Sequence, residues 1–358
     1  MSTKPLGGCW RGLLQGWQRS SGAARCPYPC ELTPFTSSGI QVSMVTRNLA
    51  LLALAVLCTL LTAYPSERNS LEHSKVETEM HNIFYHFSDS IYAHIIDLQG
   101  ELVPAEKNGF PIFDDANSFQ LVINSASISI TIEALTNTLN QYVLAAPDAP
   151  LKEIRISRAG DKLKIRGHLH SKGDVAFETV GSLAVTPQGE IRVHTEKIKA
   201  GHIPVKGLLD LLGKTISNLL DTRKVQGLRA EKDDLILTPG ELFPPPRIQG
   251  RLRAISVRGN DILQEYGTAQ TVRTLRSGNY MAYRGGRLRF GKLTMADTDL
   301  VLIDMDPQDP FDFYLSHYVD QLVAGYTKTT PTFGLRCFFR DYNKLSAHER
   351  SRAKNAKR

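Results

Sequence analysis

The side chains best suited by type and spacing to do chemistry are acidic. Asp297, Asp299, Asp304, Asp306, Asp309 and Asp312 crowd together toward the C-terminal end of the chain. Oxygen-rich clusters bind calcium, which makes Asp304, Asp306 and Asp309 the candidate ligands for a metal. The stretch "DMDPQDPFD" lacks the glycine and closing glutamate of an EF-hand loop, and hairpin ends with a helix cap account for most of the run. His168 and His170, in "GHLH", stand two apart, so a strand would point both to one face. A metal would need further ligands that nothing nearby in sequence supplies, and the competing reading leaves both on the solvent side with Leu169 turned inward. The sequence contains no G-x-S-x-G, no H-E-x-x-H and no phosphate-cradling glycine loop. Neither a catalytic residue nor a cofactor is expected.

The elements that would position these residues come from apolar periodicity. Val76, Met80, Ile83, Phe84, Phe87, Ile91, Ile95 and Leu98 recur at spacings of three and four, which predicts a helix over 71–98. From Phe119 the period changes, and Ile128, Ile130 and Ile132 alternate as in a half-buried strand. The chain then returns to helical spacing at Ile132, Leu135 and Leu139, with Thr131 as N-cap. Four alternating runs between 152 and 198 are joined by turn residues at Ala159–Gly160–Asp161, 171–174 and 187–189, which predicts an antiparallel meander with one face on a core. A second amphipathic helix is expected at "IPVKGLLDLLGKTISNLLD", with Leu208, Leu212, Ile216 and Leu219 on one stripe. Pro244–Pro246 must lie at a sheet edge or between strands, and the apolar parity switches along 248–257 as it does at a bulge. Gly285–Gly286 reads as a hairpin turn, and a third helix is expected after Asp309–Pro310.

Composition limits the partners. Of 358 residues, 42% are hydrophobic and 22% charged, an ordinary globular balance. The formal charge is +7, and eight Lys/Arg against two Asp/Glu after Pro331 place most of it on the last segment. That placement argues against nucleic acid, which needs basic residues on a folded face. Leu335, Phe338, Phe339, Tyr342 and Leu345 share one helical face there. With Arg336, Arg340 and Lys344 beside them, they could rest on an anionic membrane surface, or the segment could dock on the domain. Near the other end, Met44 and Arg47 precede an apolar run from Leu49 to Ala63 and a polar break, the order of a secretion signal. At about 22 Å as a helix, the run is shorter than a ~30 Å hydrocarbon core, so it is read as a signal peptide or a retained transmembrane anchor. Past Cys58 the only cysteine is Cys337, so no disulfide framework is expected. The organisation expected is a stretch upstream of a true start at Met44 or else a disordered extension (1–43), signal or anchor (44–63), helix and linker (64–117), main domain (118–330) and basic tail (331–358).

The stretches "VKGLLDLLGK", "DDLILTPGELFPPPRIQGRLRAISVRGN" and "VTPQGEIRV", in this order of strands and helices, resemble the bacterial LmeA-like phospholipid-binding family over about residues 118–266. That family is similar to the tubular lipid-binding superfamily. The resemblance implies an α+β fold, a long curved antiparallel sheet wrapped around amphipathic helices, here flanked by an N-terminal and a C-terminal helix. It also implies a groove for the acyl chains of a phospholipid. Ile132, Leu135, Leu139, Leu208, Leu212, Ile216 and Leu219 would line that groove, or equally fill a solid core. The function expected is non-enzymatic lipid handling in the cell envelope, outside the inner membrane. The rivals are a membrane-anchored interaction module with a solid core and a metal-dependent envelope hydrolase using the aspartate run.

Overall fold

A computed structural model describes residues 75–170, 174–200, 203–204, 222–223, 225–267 and 278–350. The long strands β1 (Val76–His86), β2 (Tyr92–Pro104) and β3 (Phe119–Thr131) are antiparallel neighbours. From β3 the chain enters the short helix α1 (Ile132–Thr138), whose last turn loosens into a π-helical turn at Leu139–Val143. Thr131 caps α1 as expected, its hydroxyl accepting from the Ala134 amide at 2.9 Å. The meander follows as β4 (Leu151–Ala159), β5 (Lys162–Leu169), β6 (Val175–Val185) and β7 (Ile191–Ala200). The short strands β8 (Ile203–Pro204), β9 (Leu228–Glu231) and β10 (Asp234–Leu237) complete this sheet.

The chain then rejoins the first sheet. Strand β11 (Arg247–Gln249) runs parallel to β3 directly after the three prolines, which lie between strands. Strands β12 (Leu252–Arg258) and β13 (Asp261–Gly267) form a hairpin on the other end of β3, with a register shift between Leu252 and Ala254 where the parity switch predicted one. The rest is β14 (Tyr280–Arg284), β15 (Leu288–Phe290), β16 (Leu293–Met295), β17 (Asp299–Asp304), β18 (Phe311–Tyr314), α2 (Tyr318–Ala324), β19 (Tyr326–Thr329) and β20 (Leu335–Phe339). The larger sheet runs β12-β13-β3-β2-β1-β14-β17-β20-β19, with β11 beside β3 and β18 beside β1. Its inner face and that of the meander sheet meet in one hydrophobic cluster, within the unit Pro65–Arg358.

Several expectations are corrected. The described chain is mostly β, with a few short helices, so the α+β arrangement of a sheet wrapped around amphipathic helices does not hold. The helix over 71–98 is the hairpin β1–β2. Its misleading period has a specific source. Val76, Thr78 and Met80 are buried on even positions, but after Asn82, at φ 55°, burial moves to Ile83 and Tyr85. In β2 it moves from Ala93 and Ile95 to Leu98 and Leu102, across a register shift between Ile95 and Asp97. Each change of parity inserts a spacing of three into an alternating strand, and the sum imitates a helix.

At the other end, Phe311 and Phe313 enter β18 and are fully buried beside β1, which leaves only the short α2 of the expected third helix. The tail segment is likewise not a membrane-facing helix. Leu335–Phe339 is a strand parallel to β17, with Cys337 and Phe339 fully buried. Gly285 and Gly286 turn the chain at positive φ, but β14 pairs with β1 and β17 rather than with β15. The transmembrane helix is also corrected: among the described residues no helix is long and apolar enough to cross a membrane. Residues 1–43, the apolar stretch 44–63 and the expected helix carrying Leu208, Leu212, Ile216 and Leu219 lie outside the described residues.

Candidate apolar binding cavity

The meander places alternate side chains on its inner face: Leu151, Ile154 and Ile156 from β4, Leu163, Ile165 and Leu169 from β5, then Phe177 and Leu183 from β6. Two glycines keep these strands close. A Cβ on Gly167 would lie 2.7 Å from Ile154 Cδ1 and 2.9 Å from the Lys152 carbonyl, and one on Gly181 2.9 Å from Val193 Cγ1. Opposite stand Ile130 of β3, Ile255 of β12 and Ile262 of β13, with Leu135, Leu139 and Leu144 closing one side. Between the two faces a void of about 110 Å³ remains. Several inward-facing aliphatic side chains around it, among them Ile156, Ile165, Leu169 and Leu183, are only half-buried.

The polar side chains among the described lining residues are Thr179, Thr195 and Gln264. Thr195 donates its hydroxyl to the Asp233 carbonyl at 2.7 Å. Gln264 accepts from the Tyr266 hydroxyl at 2.7 Å, and burial pushes that phenol well above its ordinary titration range. Thr179 differs: it is 4% exposed, and its hydroxyl has no hydrogen-bond partner among the described residues. Such a group carries a desolvation penalty of roughly 1–3 kcal/mol.

A second void, of about 60 Å³, lies between the central strands of the larger sheet and the segment 239–248. Ile130, Phe243 and Gln264 border both voids. Phe119, Phe243 and Ile248 in turn border the second void and a surface pocket of about 530 Å³. Phe243 therefore touches all three, held by a stack on Phe87 with ring centroids 5.2 Å apart. The surface pocket is polar and includes Asn117, Gln120, Gln226, Glu241, Arg247 and Gln249.

Of the expected groove residues, Leu135 and Leu139 line the larger void. Ile132 does not; it is buried in a small separate cluster with Leu163 and Ile262. The lining comes mainly from the meander, whose inward parity was legible in sequence. Phe243, Glu241 and Arg247 were missed, because their only signal was position around a proline run that reads as a connection.

The other candidates are drawn into internal pairing. Asp306, Asp309 and Asp341 bring carboxylate oxygens together as a metal site would, but the Lys344 ammonium stands among them at 2.6, 2.8 and 2.9 Å. Those three acids hold the amine protonated far above its usual range. Asp304 faces elsewhere, accepting from the Asn279 amide and the Asp306 N–H at 2.8 Å each, and burial raises it to about 6. Of the proposed membrane-facing residues, Arg336 pairs with Asp299 at 2.9 Å and Arg340 with Glu349 at 2.6 Å. Phe338 stacks on Tyr326 at 4.4 Å, and Tyr342 lies against Tyr314 and His317. Leu335 is half-buried against the core. His168 pairs with Asp174 at 2.8 Å, and Leu169 faces the void as expected. Comparison with protein-family models, with curated proteins and with solved structures finds no match.

Proposed function

We propose that this protein is a non-enzymatic lipid-binding protein of the cell envelope that receives acyl chains of a phospholipid or similar lipid between its two sheets. The observation that carries this reading is the chain of cavities from an almost wholly apolar interior, through Phe243, to a polar surface pocket. An amphiphile has the same order of polarity. Burying methylenes contributes ~0.8 kcal/mol each, so a chain of some fifteen offers ~12 kcal/mol before ordering costs. The signal-like composition of 44–63 and the resemblance of 118–266 to the LmeA-like family support the same reading and an exported location.

The second reading, an interaction module with a solid core, is favoured by volume. The larger void, about 110 Å³, is smaller than the ~150 Å³ cavity that accepts benzene. An acyl chain enters only by parting the half-buried aliphatic side chains. Native mass spectrometry of the full chain, purified under mild conditions and then extracted with organic solvent, separates the two. A discrete adduct of lipid mass supports the lipid reading. A bare mass that takes up nothing from added phospholipid overturns it and leaves the solid core.

A further inference from the structure

The surface pocket brings charged side chains of opposite sign to one place. Gly240 seats the 239–241 turn directly on β11, since a Cβ there would lie 1.9 Å from the Ile248 carbonyl oxygen. That close approach brings Glu241 and Arg247, both exposed, into one pocket. Neither forms an ion pair with another described residue, whereas Arg229, Arg336, Arg340 and Lys344 all do. Among the described residues, the other polar side chains at the pocket are the neutral amides of Asn117, Gln120, Gln226 and Gln249 and the phenol of Tyr142. Among the described residues, one cation and one anion thus face a common space, with the half-exposed ring of Tyr142 beside them.

We propose that this pocket holds the headgroup of a zwitterionic amphiphile, with Arg247 on its phosphate, Glu241 on its ammonium and Phe243 at the neck through which its acyl chain passes inward. The assignment rests on the reading that the interior takes acyl lipid. A guanidinium binds a phosphate through paired N–H donors. A carboxylate and an aromatic face together suit an alkylammonium. A headgroup with net negative charge would satisfy Arg247 but meet Glu241 unfavourably. Phe243 is the only described side chain that borders both voids and the pocket, and it stands with Phe119 and Ile248 between the pocket and the second void, so a chain entering by this pocket passes among these three.

The test uses the full-length protein incubated with vesicles of phosphatidylethanolamine or phosphatidylglycerol carrying identical acyl chains, with bound lipid counted by native mass spectrometry. Wild type should take up the ethanolamine lipid about tenfold better, as expected when one charge-assisted hydrogen bond forms and one repulsion is avoided. Glu241→Gln should bring the two lipids close to equal, and Arg247→Gln should lower uptake of both. Phe243→Trp should slow uptake several-fold while leaving the preference intact. Both charged positions are exposed, so circular dichroism and melting temperature should match wild type. Uptake by wild type without headgroup preference, unchanged in Glu241→Gln and Arg247→Gln, overturns the headgroup assignment while the lipid reading stands. Failure of wild type to take up either lipid overturns both.

Discussion

The two ends of the core are built differently. Beside β1, β18 and β20, the rings of Phe311, Phe313 and Phe339 are fully buried, with centroids 5.6 to 6.1 Å apart and tilted edge to face. Polar side chains lie beside them, some fully partnered, although the buried Nδ1 of His86 on β1 has no hydrogen-bond partner among the described residues. Gln321, fully buried, accepts from the Tyr314 N–H and donates to the Asp312 and Arg340 carbonyls. Behind the meander the walls are aliphatic, several side chains remain half-buried, and the Thr179 hydroxyl is unpaired among the described residues. Rings packed edge to face fill space in three dimensions. Branched aliphatics standing on two pleated faces meet only along the line between the sheets. The first arrangement specifies one packing, and the second leaves room for the displacement that the proposed site for a flexible apolar chain requires.

The comparison breaks most visibly under truncation. Phe313→Ala should destabilise the protein by about 3–5 kcal/mol, whereas Ile165→Ala on the aliphatic wall should lie near the lower end of the ~2–5 kcal/mol range for such changes. Equal losses in urea unfolding would show that both ends are packed alike. Asp304 gives a pH-dependent contrast. Its carboxyl titrates near 6 in the folded protein, above its ordinary 3.8, because burial disfavours the anion. The folded state therefore binds more protons than the unfolded state between those values, and stability from this group falls as pH rises from about 4 to 6. Relative to wild type, the melting temperature of Asp304→Asn should move upward by about 2 °C between pH 5 and pH 8. A downward movement would mean that the site stabilises the anion.

The smallest effect concerns the unpaired hydroxyl. Thr179→Val keeps the shape and removes an unsatisfied group, so it should stabilise the protein by about 1 kcal/mol. A loss of stability in thermal melts would show that the hydroxyl has a partner.

Legibility in the sequence followed the range of the interaction concerned. The turn at Gly160–Asp161, the cap at Thr131 and the bulge near Leu252 depend on adjacent residues, and each stood where it was expected. The β1–β2 hairpin did not, because one left-handed residue, Asn82, changes the parity of a strand without changing its composition. The tail failed for another reason. Phe338 and Phe339 fall together on a helical face, but on a strand they take opposite sides, one on Tyr326 and one in the core. The aspartate run looked like ligands until Lys344 was seen among them, a cation from 35 residues beyond Asp309.

By itself the sequence determined the meander, its inward-facing apolar parity and the helix cap at Thr131, because alternation and turn chemistry are local properties of the backbone. The tertiary structure alone decided that 76–104 and 335–339 join the same sheet, that the aspartates close on a lysine, and that Phe243 connects three cavities. Those features arise from segments far apart in the chain, and which ones meet is settled by the packing of whole sheets rather than by any neighbouring residue.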